Sequence, residues 1–240
     1  AKKVAWGRVM NAGQVCVAPE YVIAHESISE KFSLLVKEQM ETLYNSENTG
    51  FNKSKYVPRI INNRHTKRIK SLIDDAIRKG AQTVLGGSVD VEDRFIEPTI
   101  LKNMSEEMDI MNEEVFGPVV SLLTYKNRLE VLEIIEKRAN PLALYIYSNN
   151  KDNIDFFLDN TSSGSAVINN NCIQAGGNPN LPFGGVGGSG MGRSGGHRGF
   201  VEMSNERSVV HQPLDKFRDF MIQLPPYSDK YIGMVMKGIK

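Results

Sequence analysis

Apolar residues recur at helical spacing in two long segments of the chain. Over residues 29–43, Phe32, Leu35, Val36, Met40 and Leu43 fall on one face, with Ser27 or Ser29 placed to cap the start. Over 63–79, Ile69, Leu72, Ile73, Ala76 and Ile77 repeat the pattern, and Gly80 stands where such a helix ends. Extended runs follow. Residues 83–85 read as a short strand with Gly86-Gly87 as its turn, and 95–101 as a second strand whose Pro98 implies an edge or bulged position. Residues 119–125 form a buried apolar strand, followed by a helix over 128–138, a strand over 143–148, a helix over 152–160 and a strand over 165–169. Strands alternating with helices predict an α/β fold, a mostly parallel sheet with helices on both faces. No short-period internal repeat interrupts this order.

Composition shifts the picture only near the C-terminus. Eleven of the 21 glycines lie between Gly176 and Gly199, a segment expected to be a long ordered loop. A polar, proline-containing stretch begins at Asn205, dividing the chain into a main domain, residues 1–204, and a tail, 205–240. A hydrophobic content of 40%, a charged content of 24% and a net charge of +1 are those of a globular protein without nucleic-acid affinity. The basic stretch Arg64 to Arg68 with Lys70, followed by Asp74 and Asp75, reads as a solvated helix face. No apolar run is long enough for a transmembrane segment, and the N-terminus lacks a secretory h-region. Two cysteines without metal or redox spacing imply no metal site and a reducing, cytoplasmic location. The chain starts without Met and reaches its best chemical candidate by residue 16, so a preceding segment is expected.

That candidate is Cys16, in Met10-Asn11-Ala12-Gly13-Gln14-Val15-Cys16-Val17-Ala18-Pro19. A thiol on tight backbone, near N–H groups that stabilise both thiolate and oxyanion, can attack a carbonyl carbon. The same residue could equally be a small buried apolar side chain, and local sequence leaves both readings open. Gly185-Val186-Gly187-Gly188-Ser189-Gly190 satisfies G-x-G-x-x-G but lacks the strand before and the helix after that a dinucleotide phosphate loop requires. Phe183, just before it, is either a packing anchor or a pocket wall.

Two further blocks join the Cys16 segment: Asn112-Glu113-Glu114-Val115-Phe116-Gly117-Pro118-Val119 and Leu181-Pro182-Phe183-Gly184-Gly185-Val186-Gly187-Gly188-Ser189-Gly190-Met191-Gly192. In order and spacing they resemble the C-terminal half of an NAD(P)-dependent aldehyde dehydrogenase. Pro141-Leu142-Ala143-Leu144-Tyr145, Thr161-Ser162-Ser163-Gly164 and Pro225-Pro226-Tyr227 are more similar to the class 3 and fatty-aldehyde branch.

The resemblance implies a role for each matching residue. Cys16 matches the family's nucleophile, Glu114 the glutamate that binds the nicotinamide ribose hydroxyls, and Phe116 the ring against the nicotinamide. Asn169 matches an asparagine supporting the active-site network, and Phe183 an aromatic near the substrate pocket. The implied reaction oxidises an aldehyde, aliphatic or aromatic and hydrophobic, to a carboxylic acid through a Cys16 thiohemiacetal and thioester, with NAD or NADP taking the hydride. The family's cofactor-binding domain, oxyanion amide and general-base glutamate precede the nucleophile and have no counterpart in these residues, so an N-terminal cofactor-binding half is expected as a partner. Glu114 could act as an alternate base. A homodimer associating through sheet edges and the tail is expected. Alternatives are a non-catalytic oligomerisation module, an esterase-only activity of Cys16, and a dehydrogenase in which coenzyme A attacks the thioester.

Overall fold

The chain begins with helix α1 (Lys2–Val9) and a 3-10 turn over Met10–Gly13, then enters β1 (Tyr21–His25) and α2 (Glu26–Tyr44). Next come α3 (Asn63–Arg78), β2 (Gln82–Leu85), β3 (Val89–Asp90), β4 (Phe95–Ile96), β5 (Thr99–Lys102) and β6 (Val119–Tyr125). They are followed by α4 (Arg128–Glu136), β7 (Ala143–Ile146), α5 (Lys151–Asn160), β8 (Ser165–Ile168), α6 (Gly196–Glu202) and α7 (Asp229–Gly238). The structure, a computed structural model, describes residues 1–176, 178–211 and 225–239. Residues 1–203 form one unit; α7 belongs to a second, 204–240. No helix among the described residues is long and apolar enough to cross a membrane.

The main sheet runs β1–β6–β5–β2. β1, β6 and β5 are parallel, and β2 joins β5 antiparallel with a register shift between Thr83 and Leu85. Successive residues of a strand face opposite sides, and here the two sides fill separate cores. Leu101 of β5 and Val119 of β6 join Ile69, Leu72, Ile73 and Ala76 of α3. Ile100 and Val120, one residue along, join Val4, Ala5 and Val9 of α1 and Val36 and Met40 of α2. Helices therefore cover both faces, the α/β arrangement expected. Each such buried aliphatic side chain contributes about 1.5–3 kcal/mol. β7 and β8 form a separate parallel pair, and β3 and β4 a short antiparallel one.

Asparagine caps recur. Asn62, Asn127 and Asn150 each accept backbone N–H groups at the starts of α3, α4 and α5. For α2 the cap is neither serine: His25 Nδ1 accepts from the Ser27 N–H at 3.3 Å, and the helix starts at Glu26. The expected strand 95–101 is two strands broken at Pro98. Pro98 has no N–H to give, so β5 starts one residue later, where the Thr99 N–H donates to the Pro118 carbonyl at 2.9 Å. β5 itself is interior rather than an edge. Neither α1 nor β1 follows from periodicity: α1 buries Val4, Ala5, Gly7, Arg8 and Val9, more than one face.

Candidate active site

Cys16 lies on an exposed turn closed by the Ala18 N–H bonding the Val15 carbonyl at 2.9 Å. The approach to that turn is tightly wound. Asn11, Ala12 and Gly13 have φ of 51°, 52° and 70°, three consecutive left-handed residues. Asn11 and Gln14 hold them by exchanging side chain-to-carbonyl hydrogen bonds, each 3.0 Å. Gln14 also donates to the Arg59 carbonyl at 3.2 Å and accepts from the Ile61 N–H at 2.9 Å. Among the described residues no protein acceptor takes the Cys16 N–H.

The sheet order brings the second block to this turn. β1 and β6 are parallel neighbours, so the segments entering them, 16–20 and 114–118, run side by side. The contact is close. A Cβ at Gly13 would lie 2.2 Å from the Gly117 carbonyl oxygen and 3.0 Å from that of Arg8, so only glycine fits. Glu20 adds a second tie, its Oε1 accepting the Val115 N–H. From α3, Arg68 pairs with Glu113 and donates to the Glu114 carbonyl at 3.1 Å and to that of Val115.

Val115 is fully buried, and its neighbours Glu114 and Phe116 project outward on either side of it. Phe116 has φ 49°, a left-handed conformation that costs a bulky residue of order 1–3 kcal/mol. The Phe116 ring is 39% exposed. Partial burial raises the Glu114 pKa; the neighbouring Glu20 raises it further, opposed by Arg8 and Arg68.

Behind the turn, the carbonyl of Val17 is gripped twice. The Tyr145 hydroxyl donates to it at 2.6 Å and the Cys172 thiol at 3.4 Å. Tyr145 in turn accepts from Gln174 Nε2 at 2.9 Å and from the Cys172 N–H at 3.2 Å. Burial pushes the Tyr145 pKa up to about 12, although those two donors pull it down. The Cys172 thiol is also pushed up by burial. Arg8, 1% exposed, reaches the Ala18 carbonyl at 3.5 Å, and its Nε and Nη2 meet no acceptor among the described residues.

Among the described residues no hydrogen bond joins the other two expected residues to this contact. Asn169, left-handed at φ 56°, bonds Ser148 through both amide atoms, at 2.9 and 2.8 Å, and its carbonyl accepts from Lys3 Nζ. It ties the end of β7 to α1. Phe183 pairs with Ser194 in an isolated antiparallel bridge that folds the glycine loop on itself. That loop packs on the β7–β8 side, since a Cβ at Gly164 would lie 2.3 Å from the Gly184 carbonyl oxygen. The G-x-G-x-x-G run forms a 3-10 turn over Gly187–Ser189 rather than the start of a helix.

The basic stretch on α3 is not simply a solvated face: Arg68 clamps the Glu114 loop, and Asp75 is buried. Arg8, Glu20, Tyr145, Cys172 and Gln174 were not legible as site residues. A charge at Arg8 within the otherwise apolar Val4-Ala5-Trp6-Gly7-Arg8-Val9 was the one available signal. Among the described residues no group of three or more His, Cys, Asp or Glu side chains could hold a metal ion.

The model of the aldehyde dehydrogenase family matches residues 1–209. AldX of Bacillus subtilis (strain 168) is 40% identical over 215 residues, covering 90% of this chain and 48% of AldX. A dimeric NADP-preferring aldehyde dehydrogenase of Rattus norvegicus is 36% identical over 225 residues, covering 94% of this chain and 48% of that protein. The solved substrate-bound AldH of Staphylococcus aureus superposes with a TM-score of 0.78 at 31% identity, over 100% of this chain and 50% of that one. The chain thus spans about half the length of these relatives.

Proposed function

Because the chain belongs to the aldehyde dehydrogenase family, we propose that it carries the nucleophile and part of the nicotinamide site of an enzyme that oxidises aldehydes to carboxylic acids. The observation that carries this reading is the contact between Gly13 and Gly117, which locks the exposed Cys16 turn against the loop bearing Glu114 and Phe116.

Cys16 adds through its sulfur to the aldehyde carbon, giving a thiohemiacetal. The unused Cys16 N–H is available to the oxyanion that forms. Tyr145 and Cys172, by holding the Val17 carbonyl, keep the turn rigid while the carbon changes geometry. The exposed carboxylate and ring on either side of Val115 fit a ribose and a nicotinamide, respectively. Glu114 would accept hydrogen bonds from the ribose hydroxyls, and Phe116 would exclude water from the nicotinamide. A nicotinamide dinucleotide, NAD or NADP, bound there would supply the hydride acceptor for oxidising the thiohemiacetal to a thioester, and hydrolysis by water would release the acid and return the Cys16 thiol. The substrate is a hydrophobic aliphatic or aromatic aldehyde. Residues 1–204 form the nucleophile-bearing domain of a homodimer, and 205–240 serve subunit contact.

An activated ester tests the nucleophile without any cofactor. The chain is expected to release a burst of one equivalent of alcohol as Cys16 is acylated, and Cys16→Ala to release none. An undiminished burst in that variant would overturn the assignment.

A further inference from the structure

Arg8 is an expensive residue for the fold. A guanidinium 1% exposed, with one 3.5 Å contact and two unpartnered donors, has lost its water and gained little in return. The donors left free, Nε and Nη2, form the side of the fork that normally takes a carboxylate. Its place in α1 softens the cost slightly, since a cation in the last turn meets the negative end of the helix dipole. Replacing a buried charge by an aliphatic group of similar size can be neutral or stabilising where no buried partner charge is left behind, and neither Glu20 nor Glu114 is buried. Its location suggests what the charge is for. The Arg8 carbonyl packs on Gly13, Gly13 packs on Gly117, and the Arg8 guanidinium reaches the Ala18 carbonyl two residues past Cys16. The acids whose charge acts on Arg8 are Glu20 and Glu114, which lie on the two adjoining segments tied by the Glu20–Val115 hydrogen bond.

We propose that Arg8 is the positioning cation of this site, bracing the Cys16 turn through Ala18 and serving as the buried counter-charge of the Glu20–Glu114 pair. It rests on the reading of Glu114 as the ribose acceptor, which needs an ionised carboxylate. Two acids side by side resist ionising together, and partial burial adds to that resistance. The charges facing Glu114 are Glu20 from the segment before β1, Arg8 from α1, and Arg68 from α3. Arg68 is already committed to Glu113 and to two backbone carbonyls. Arg8, with donors to spare and no competing acid in contact, supplies the remaining positive charge. Cys172 also faces Arg8, its thiol favoured toward ionisation by that charge.

The test is a carboxyl carbon-13 NMR titration of Glu114 in the full chain, with Glu114→Gln identifying its signal. Arg8→Met is expected to fold with unchanged or higher resistance to denaturant, while Glu114 binds its proton roughly tenfold more tightly. Arg8→Lys, which keeps the charge, is expected to restore at least half of that change on a logarithmic scale. An unaltered Glu114 titration in folded Arg8→Met overturns the proposal, as does a folded Arg8→Lys that restores nothing. An Arg8→Met chain that does not fold also overturns it, because the guanidinium would then be serving the core. Dinucleotide binding plays no part in the readout. A chain that bound none would remove the ribose role of Glu114 and leave the Arg8 result to stand on its own.

Discussion

The two parallel arrangements in residues 1–203 are built to different standards. In the β1–β6–β5–β2 sheet, Ile100, Leu101, Val119 and Val120 are at most 1% exposed, because helices close both faces. In the β7–β8 pair only Ile146 of β7 is buried, at 7% exposure, and α5, which connects the two strands, buries no residue. Cys16 and Glu114 precede adjacent strands of the first sheet, whereas Asn169 and Phe183 follow β8. The thiol and the carboxylate are thus fixed by a core, while the glycine loop is fixed by its own backbone hydrogen bonds. The site also departs from the usual rule for open α/β sheets. It gathers where the parallel strands begin rather than at their carboxyl ends.

The largest effect should come from Gly13→Ala, which attacks the joint between the two blocks. The new methyl must sit 2.2 Å from the Gly117 carbonyl oxygen at φ +70°. Left-handed strain alone is about 1–3 kcal/mol, and separating two packed segments adds more. A loss above about 3 kcal/mol in denaturant unfolding is expected, together with loss of the ester burst. A stable, fully acylating variant would show that the joint is not what holds Cys16. Core truncations then measure the contrast between the sheets. Leu101→Ala, at 0% exposure, should cost about 2–5 kcal/mol. Leu158→Ala on α5, 42% exposed, should cost about 1 kcal/mol or less. Equal losses would erase the distinction.

Legibility followed the same divide. The helices over α2 and α3 and the strand β6 show one apolar face or a continuous apolar run, so their burial is written into local sequence. α1 escaped because it buries Arg8 and Gly7 along with Val4, Ala5 and Val9, and a helix covered on several sides has no periodic stripe. The break at Pro98 was legible as a fault in the strand. The central position of β5 was not, because sheet order depends on which strands pair across long stretches of chain. At the candidate site, Cys16 and Glu114 were singled out by their flanking motifs and the resemblance these carry. Glu20 and Tyr145 were not: their roles consist of bonds to the Val115 N–H and the Val17 carbonyl, backbone groups that leave no mark on sequence spacing.

The smallest effect separates the sheets by pH. Asp75 of α3 is 5% exposed and accepts the Asp109 N–H at 2.9 Å, with Lys79 and Arg78 paired to it. The Asp109 N–H first, and Lys79 next, hold its pKa down from 3.8 to about 2. A carboxylate whose folded value is depressed stabilises the protein fully above its unfolded value, and that contribution fades as pH falls through the folded one. The window is therefore between about 4 and about 2. Unfolding midpoints measured from pH 5 down to pH 2 should fall in the wild type, and Asp75→Asn should show a shallower decline with a lower starting point. Amide protection, corrected for the pH dependence of intrinsic exchange, should fall first in α3 and around Asp109, which Asp75 joins, while protection of β7 and β8 follows only global unfolding. Earlier loss of protection in β7–β8 would mean that the thinly covered pair, and not the α3 face, is where acid opens the protein.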